Sequence, residues 1–271
     1  MLLREVEYAR PASVADAVRL LAADDGARAL AGGQTLINVM KARAASPDVL
    51  VDLAELEELR GIELGSDGTL ELGSMVTYTQ LMESAEARAR PILGEVSAQI
   101  ADVQVRNRGT LGGNVCSNDP TNHFPPLMVA LGATFTIRGA DGERTVPAGD
   151  FFLGVYMTAV SPGELLTTIT IPSGAGAGDA FENVPIGRDG TCIVSAAATA
   201  TGSGTRVAIG CVDAVPVLVE PTATDADSVK EAVRAAELDP PSDVHASADY
   251  RRHLAEVLAA RAVERAVKAK S

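Results

Sequence analysis

Two glycine pairs, Gly32-Gly33 and Gly112-Gly113, constrain this chain more than any other feature. The first follows an apolar run, Ala27 to Ala31, that reads as a strand; the second stands inside Arg108-Gly109-Thr110-Leu111-Gly112-Gly113-Asn114. A glycine pair at a strand end has two readings: a plain tight turn, or a nest in which successive backbone N–H groups converge on an anion without help from a cation. Both pairs are flanked by small hydroxyl or amide residues, Gln34 and Thr35 in one case and Thr110 and Asn114 in the other. Read as two glycine turns, they suit a split site for a diphosphate.

The charge balance fits main-chain rather than cationic recognition. The 271 residues carry 36 acidic and 23 basic side chains, a net charge of −13. Such a chain repels polyphosphates, so nucleic acid and anionic membrane are poor partners. Acids at Glu5 and Glu7 and the lack of a long apolar run argue against an export signal or a spanning helix. The three cysteines, Cys116, Cys192 and Cys211, have no C-x-x-C spacing and suit a reducing, cytoplasmic setting. Cys116 reads as a small buried hydrophobe, and Cys192 and Cys211 as core residues of strands.

Local signals set the organisation. Ser13-Val14-Ala15-Asp16 opens a helix with Val14, Ala17, Val18 and Leu21 at helical spacing, stopped at Gly26. Strands are predicted over 27–31, 48–53, 69–73, 133–138, 145–146 and 165–171, with helices starting near Thr77 and Pro91 and a buried helix over 125–131. Ser173-Gly174-Ala175-Gly176-Ala177-Gly178 has the composition of a linker and marks the domain boundary. Three strands follow, over 181–184, 192–201 and 206–212. A long helix over 248–269 then places Leu254, Val257, Leu258 and Val263 on one face.

The chemistry of competing sites is poorly supplied. Asp52 stands where a Rossmann ribose-binding acid would, but G-x-G-x-x-G is absent, and no glycine precedes a Lys-Ser or Lys-Thr pair. His245 and His253 lack ligand spacing and read as solvated, as do Arg106 and Arg108. No nucleophile–base motif is present, and the cysteines cannot hold an iron–sulfur cluster. Difficult chemistry must therefore come from a cofactor, and electrons from another chain.

Ala31-Gly32-Gly33-Gln34-Thr35-Leu36 with Met40-Lys41-Ala42-Arg43, and Val105 to Asn114 with Asp119-Pro120, resemble the two FAD-binding signatures of the flavoprotein medium subunit of the molybdenum hydroxylases. That family includes aerobic carbon monoxide dehydrogenase, the flavin domain of xanthine dehydrogenase and bacterial dehydrogenases of N-heterocycles. The likeness continues through Glu164-Leu165-Leu166, Ile171-Pro172 and Asp249-Tyr250-Arg251-Arg252, spanning nearly the whole chain. It implies an α+β protein: a vanillyl-alcohol-oxidase (PCMH)-type FAD domain over 1–173, with α/β subdomains of about 1–54 and 55–173, and a small C-terminal α/β domain over 174–271. FAD would lie between the subdomains, with its pyrophosphate on the Ala31 to Thr35 and Thr110 to Asn114 backbones.

The positions carried over as FAD contacts are Leu30, Ala31, Gly32, Gly33, Gln34, Thr35, Leu36, Ile37, Ser74, Ile100, Thr110, Leu111, Gly112, Gly113, Asn114, Ser117 and Leu166. His123 either hydrogen-bonds an FAD hydroxyl or caps the helix at Pro125. Three positions depart from the family pattern: His123 stands for a common acid, Asn183 for a lysine near the flavin, and Thr191 for an aromatic against the ring. With five Phe, four Tyr and no Trp, the flavin ring is expected to rest mainly on backbone, aliphatic and small polar groups.

The function so implied is an electron-transfer subunit without a catalytic acid or base. A large molybdopterin subunit would hydroxylate substrate, a small subunit with two 2Fe-2S clusters would relay electrons, and the FAD of this chain would pass them to an acceptor within a dimer of heterotrimers. Two alternatives remain at this point: a stand-alone flavin reductase resembling UDP-N-acetylmuramate reductase, and a nucleotide-binding module that has lost its flavin. Neither the hydroxylated substrate nor the final acceptor is written in this chain.

Overall fold

The structure, a computed structural model, describes residues 3–187 and 191–270. The chain opens with β1 (Glu7–Ala9), α1 (Val14–Ala23), β2 (Ala27–Leu30), α2 (Leu36–Lys41) and β3 (Val49–Asp52). Ser13 caps α1 by accepting the Asp16 N–H. Val14, Ala17, Val18 and Leu21 on the buried face of α1 then pack with Val51 and Leu53. The three strands form a parallel sheet in the order β1-β3-β2. Its centre strand, β3, sets the exit of β2 directly beside Asp52.

The next stretch holds β4 (Ile62–Leu64), β5 (Leu70–Gly73), α3 (Tyr78–Glu83), α4 (Ile92–Ala98), α5 (Val103–Arg108), α6 (Leu111–Ser117) and α7 (Phe124–Leu131). It continues with β6 (Thr134–Gly139), β7 (Gly142–Pro147), α8 (Ala148–Phe151), β8 (Phe152–Gly154), β9 (Met157–Thr158) and β10 (Leu165–Ile171). Five of these strands make an antiparallel sheet, β4-β5-β10-β6-β7. The main core lies against it and contains all five Phe. Phe135, Phe151 and Phe152 pack ring to ring with centroids 4.1 to 5.9 Å apart, and Tyr78 stacks on Phe124 at 5.7 Å. Burying a Phe is worth about 1.5–3 kcal/mol, so the few aromatics are used mainly in the core.

The C-terminal part is β11 (Gly178–Pro185), β12 (Cys192–Ala200), β13 (Thr205–Gly210), β14 (Val217–Val219), α9 (Ala226–Ala235) and α10 (Ala248–Ala269). The four strands pair antiparallel in sequence order. One face packs on α10, whose buried side is mostly alanine (Ala255, Ala259, Ala262 and Ala266) around Leu254, Leu258 and Val263. Val257, expected on that face, is only half-buried. Small residues let a helix lie close to a sheet, which explains an apolar stripe weaker than a leucine-rich one. From the other face, Phe181, Ala197 and Ala208 join the main core.

The glycine- and alanine-rich segment after β10 is anchored rather than free. Arg90 donates to the Ser173 carbonyl and approaches Asp179 at 3.2 Å, and that carboxylate also accepts from Thr199. Both ion-pair side chains are more than nine-tenths buried. Such a pair contributes little net stability but strongly penalises the loss of one partner.

The second glycine motif departs from its sequence reading. It is not a turn: Gly112 and Gly113 lie in the first turn of α6, capped by Thr110, whose hydroxyl accepts the Gly113 N–H at 3.0 Å. Two glycines are poor helix formers, but tertiary anchoring outweighs that propensity. The carbonyls of Val76 and Ser74 accept the Leu111 and Gly112 N–H groups, each at 2.9 Å.

Candidate functional site

The first motif is a true turn. Gly33 has φ +73°, in the left-handed region, and leads from β2 into α2. Leu30 and Ile37 flank it, within 3.5 Å of where a Gly33 side chain would begin. The Gln34 amide folds back onto the Gly32 carbonyl at 3.1 Å. Among the described residues, the backbone N–H groups of Gly32, Gly33, Gln34 and Thr35 meet no acceptor. Successive unspent amides around a left-handed glycine are the ingredients of an anion nest.

The fold brings the two motifs together. A Cβ on Gly32 would fall 1.9 Å from the Arg108 carbonyl oxygen, and one on Gly113 would lie 3.6 Å from the Ala31 Cβ. A Cβ on Gly112 would fall 2.5 Å from the Ser74 carbonyl oxygen. Glycine is thus required at Gly32 and Gly112 because backbone packs on backbone.

The two motifs nevertheless offer different chemistry. From Leu111 to Asn114 every amide is engaged, with Val76, Ser74, the Thr110 hydroxyl and the Thr110 carbonyl in turn. What α6 and the Ser74 segment packed on it can present is side-chain oxygen. Ser74 Oγ and Asn114 Oδ1 are buried without a hydrogen-bond partner, while the Asn114 amide nitrogen donates to Tyr78 Oη at 2.9 Å. Burial pushes the Tyr78 phenol upward, keeping it protonated. Unpaired buried polar atoms are costly unless a ligand meets them. Ser117 donates to the Asn114 carbonyl and accepts from Asn122, closing the end of this helix. Leu36 opens α2. Ile100 and Leu166 lie in the main core with Leu111 and contribute only apolar surface.

Asp52 is committed elsewhere, accepting from the Tyr8 hydroxyl and the Ala54 N–H. His123 occupies the N-cap position of α7 but makes no capping hydrogen bond. It is instead buried at the junction with the C-terminal sheet. Its Nε2 lies 3.2 Å from Asn183 Nδ2, its Nδ1 3.8 Å from Cys192 Sγ, and its ring 5.2 Å from that of Phe181. Two of the three departures from the family pattern, His123 and Asn183, therefore contact each other. Thr191 accepts the Ile186 N–H through its carbonyl.

Arg106 is held by the Ile100 and Ala101 carbonyls, unlike the solvated residue expected, whereas Arg108 is exposed. His245 and His253 are exposed. Burial raises the Cys116 thiol to about 12, which leaves it protonated. Sequence reasoning missed the approach of Cys192 to Cys211, whose sulfurs lie 3.0 Å apart. Neither residue carries a motif, and only the pairing of β12 with β13 reveals the contact.

Uncommitted amides at the first glycine motif, packed against a glycine-rich helix start and accompanied by two unsatisfied side-chain oxygens, have the chemistry of a dinucleotide-binding protein of mixed helix and strand. Residues 4–174 match the model of the FAD binding domain in molybdopterin dehydrogenase, and residues 180–266 that of the CO dehydrogenase flavoprotein C-terminal domain. The chain is 40% identical to the carbon monoxide dehydrogenase medium chain of Afipia carboxidovorans, over 98% of each chain. It is 35% identical to the nicotine 6-hydroxylase medium subunit of Paenarthrobacter nicotinovorans, over 97% of this chain and 98% of that one. Among solved structures, the reconstituted CO dehydrogenase from Oligotropha carboxidovorans superposes with a TM-score of 0.93 at 38% identity, covering 99% of this chain and 100% of the other. Quinoline 2-oxidoreductase from Pseudomonas putida 86 gives 0.89 at 33% identity, covering 100% and 98%.

The chain belongs to the FAD-binding medium-chain family of the molybdenum-containing dehydrogenases. It is the flavoprotein subunit of such an oxidoreductase, and this reading is better supported than the stand-alone reductase. FAD is the cofactor of this chain. Among the described residues, no helix is long and apolar enough to cross a membrane.

Proposed function

We propose that the Gly32 to Thr35 amides receive the FAD pyrophosphate, and that the α6 side supplies Ser74 Oγ and Asn114 Oδ1 as polar contacts beside the glycine faces. The unspent amides of the first motif carry this reading, since they bind a dianion in a chain of net charge −13 without requiring a cation. Leu30, Ile37, Ile100 and Leu166 contribute apolar surface, and Ser117 fixes the end of α6. The arrangement is of the vanillyl-alcohol-oxidase (PCMH) type, with subdomains of about 1–54 and 55–173 and a C-terminal domain over 174–271.

When bound, FAD supplies exchange between one-electron and two-electron carriers. This chain's residues hold and orient it, and none acts as a catalytic acid or base. The partners are a large molybdopterin subunit and a small subunit with two 2Fe-2S clusters, assembled as a dimer of heterotrimers in the cytoplasm. Electrons enter from the small subunit and leave to an external acceptor.

Purified protein is expected to be yellow with flavin absorption bands, and Gly33→Val and Gly113→Val to lose the flavin. Unchanged flavin content in both variants overturns the site. The isolated chain should show only slow dye reduction; NADPH-driven turnover by that chain alone would overturn the electron-transfer role.

A further inference from the structure

Cys192 and Cys211 lie nineteen positions apart on neighbouring stretches of the C-terminal sheet, with their sulfurs 3.0 Å from each other. That is within about 1 Å of the roughly 2.05 Å of a disulfide bond. Cys192 lies three residues before Ser195, and Cys211 directly follows Gly210, the register partner of Ser195. Cys211 has φ +67°, a left-handed conformation uncommon for a residue with a Cβ. Strained backbone of this kind persists only where its surroundings hold it. Here Arg251, itself buried, supplies that hold: it donates to the Ile193 and Cys211 carbonyls and is fixed in turn by Asp243. A single guanidinium thus ties together the two chain segments that bear the sulfurs.

The surroundings of the pair are polar on one side. Asn183 Nδ2 donates to Gln99 Oε1, which fixes the amide orientation, so its approach to His123 Nε2 is as a donor. His123 Nδ1, on the opposite side of the ring, lies 3.8 Å from Cys192 Sγ. Ser195 is completely buried, with a hydroxyl lacking an ordinary hydrogen-bond partner, and it acts on both sulfurs in the direction of thiolate. The Cys211 thiol and His123 together lower Cys192 to about 5, while Cys211 is raised by the same partnership. One sulfur therefore holds the shared proton and the other is the better nucleophile. A narrow cleft of about 10 Å³, room for roughly one water, lies between Asn118, Pro126, Asp213 and Pro216 and reaches Cys211.

We propose that Cys192 and Cys211 form a redox dithiol that hydrogen peroxide closes to an internal disulfide. The Cys192 thiolate attacks one peroxide oxygen; the O–O bond breaks, Cys192 becomes the sulfenic acid, and hydroxide leaves. Cys211 then attacks the Cys192 sulfur, the S–O bond breaks, and the hydroxyl departs as water with the Cys211 proton. The hydroxide from the first step takes up the proton that Cys192 had released. The balance is two thiols and one peroxide to one disulfide and two waters, and a dithiol reductant reverses the bond. Cys192 Sγ lies 3.6 Å from the Thr121 carbonyl oxygen, so the disulfide forms next to the segment that joins α6 to α7. Transient disulfides of this kind are the usual exception in reducing compartments.

The test is peroxide treatment of the purified full-length protein, followed by denaturing alkylation with N-ethylmaleimide and peptide mapping. The expected result is a Cys192–Cys211 cross-linked peptide lacking two hydrogens, loss of alkylation at both residues, full recovery with dithiothreitol, and Cys116 alkylated throughout. Cys192 and Cys211 remaining alkylated at peroxide levels that oxidise an exposed thiol peptide, or a bridge that uses Cys116, would overturn it. In Cys211→Ser, dimedone should trap the sulfenic acid on Cys192; no trapped Cys192 in a variant with the circular dichroism of the parent removes the assigned roles. The wild-type map decides the pair even where a variant does not fold.

Discussion

The two glycine motifs look alike in sequence and do opposite work. At Gly32-Gly33 the backbone turns with a positive φ and leaves its amides unspent. At Gly112-Gly113 it enters a helix whose first amides are already committed to Ser74, Val76 and Thr110. Glycine serves the first by allowing a conformation and the second by allowing a close contact. A Gly-Gly pair therefore shows that something passes close to the main chain, and only the hydrogen-bond account shows whether it is a ligand or another part of the protein.

The largest effect should come from the second motif. In Gly112→Val the new Cβ meets Ser74 at 2.5 Å on a carbonyl and 2.6 Å on its Cβ. Backbone cannot move aside cheaply, and overpacking of this kind costs about 3 kcal/mol. The expected outcome is a lower urea midpoint, with flavin lost because the fold is weakened. A variant with parental stability would show that α6 is not anchored as described.

Gly33→Val should separate ligand binding from folding. Its nearest neighbours, Ile37 and Leu30 at 3.3 and 3.5 Å, are side chains that can shift, so the main folding cost is the φ of +73°, about 1–2 kcal/mol. Flavin should be absent while circular dichroism and the urea transition persist with a modest shift. Retained flavin would mean that the first loop is not the diphosphate nest, and the contrast between the motifs would fail.

These contrasts also mark what could be read from sequence. Helix α1, the strands β2, β3 and β10, and the long α10 announce themselves through caps, spacing and β-branched runs, because the forces that shape them are local. Helix α6 does not, because glycine's poor helix propensity points to a turn, and the contacts that reverse it come from residues 74 and 76. Ile100 and Leu166 are legible only through the family resemblance, since a buried aliphatic residue carries no chemical mark. The cysteine pair is illegible for a similar reason: it arises from strand pairing and a left-handed residue at Cys211, neither of which leaves a motif.

Thr110 tests the structural half of the comparison on its own. Thr110→Val keeps the shape but removes the oxygen that accepts the Gly113 N–H, and a lost N-cap costs about 1 kcal/mol. Thermal or urea unfolding should show that loss, with flavin content near the parental level. Complete loss of flavin at unchanged stability would move Thr110 from helix anchor to ligand contact.

Ser74→Ala should give the smallest effect and the most diagnostic sign. Its hydroxyl is buried and unpartnered, so flavin-free protein gains by losing it or changes by no more than about 0.5 kcal/mol. If that oxygen meets FAD, the loaded protein instead loses one hydrogen bond, about 1 kcal/mol, or roughly fivefold in Kd. Titrating flavin into stripped parent and variant, alongside urea unfolding of the stripped forms, measures both. Opposite signs for the two quantities place Ser74 Oγ on the ligand. A loss of stability without ligand, at unchanged flavin affinity, would assign it to the α6 anchor, leaving the first glycine motif as the measured contact with FAD.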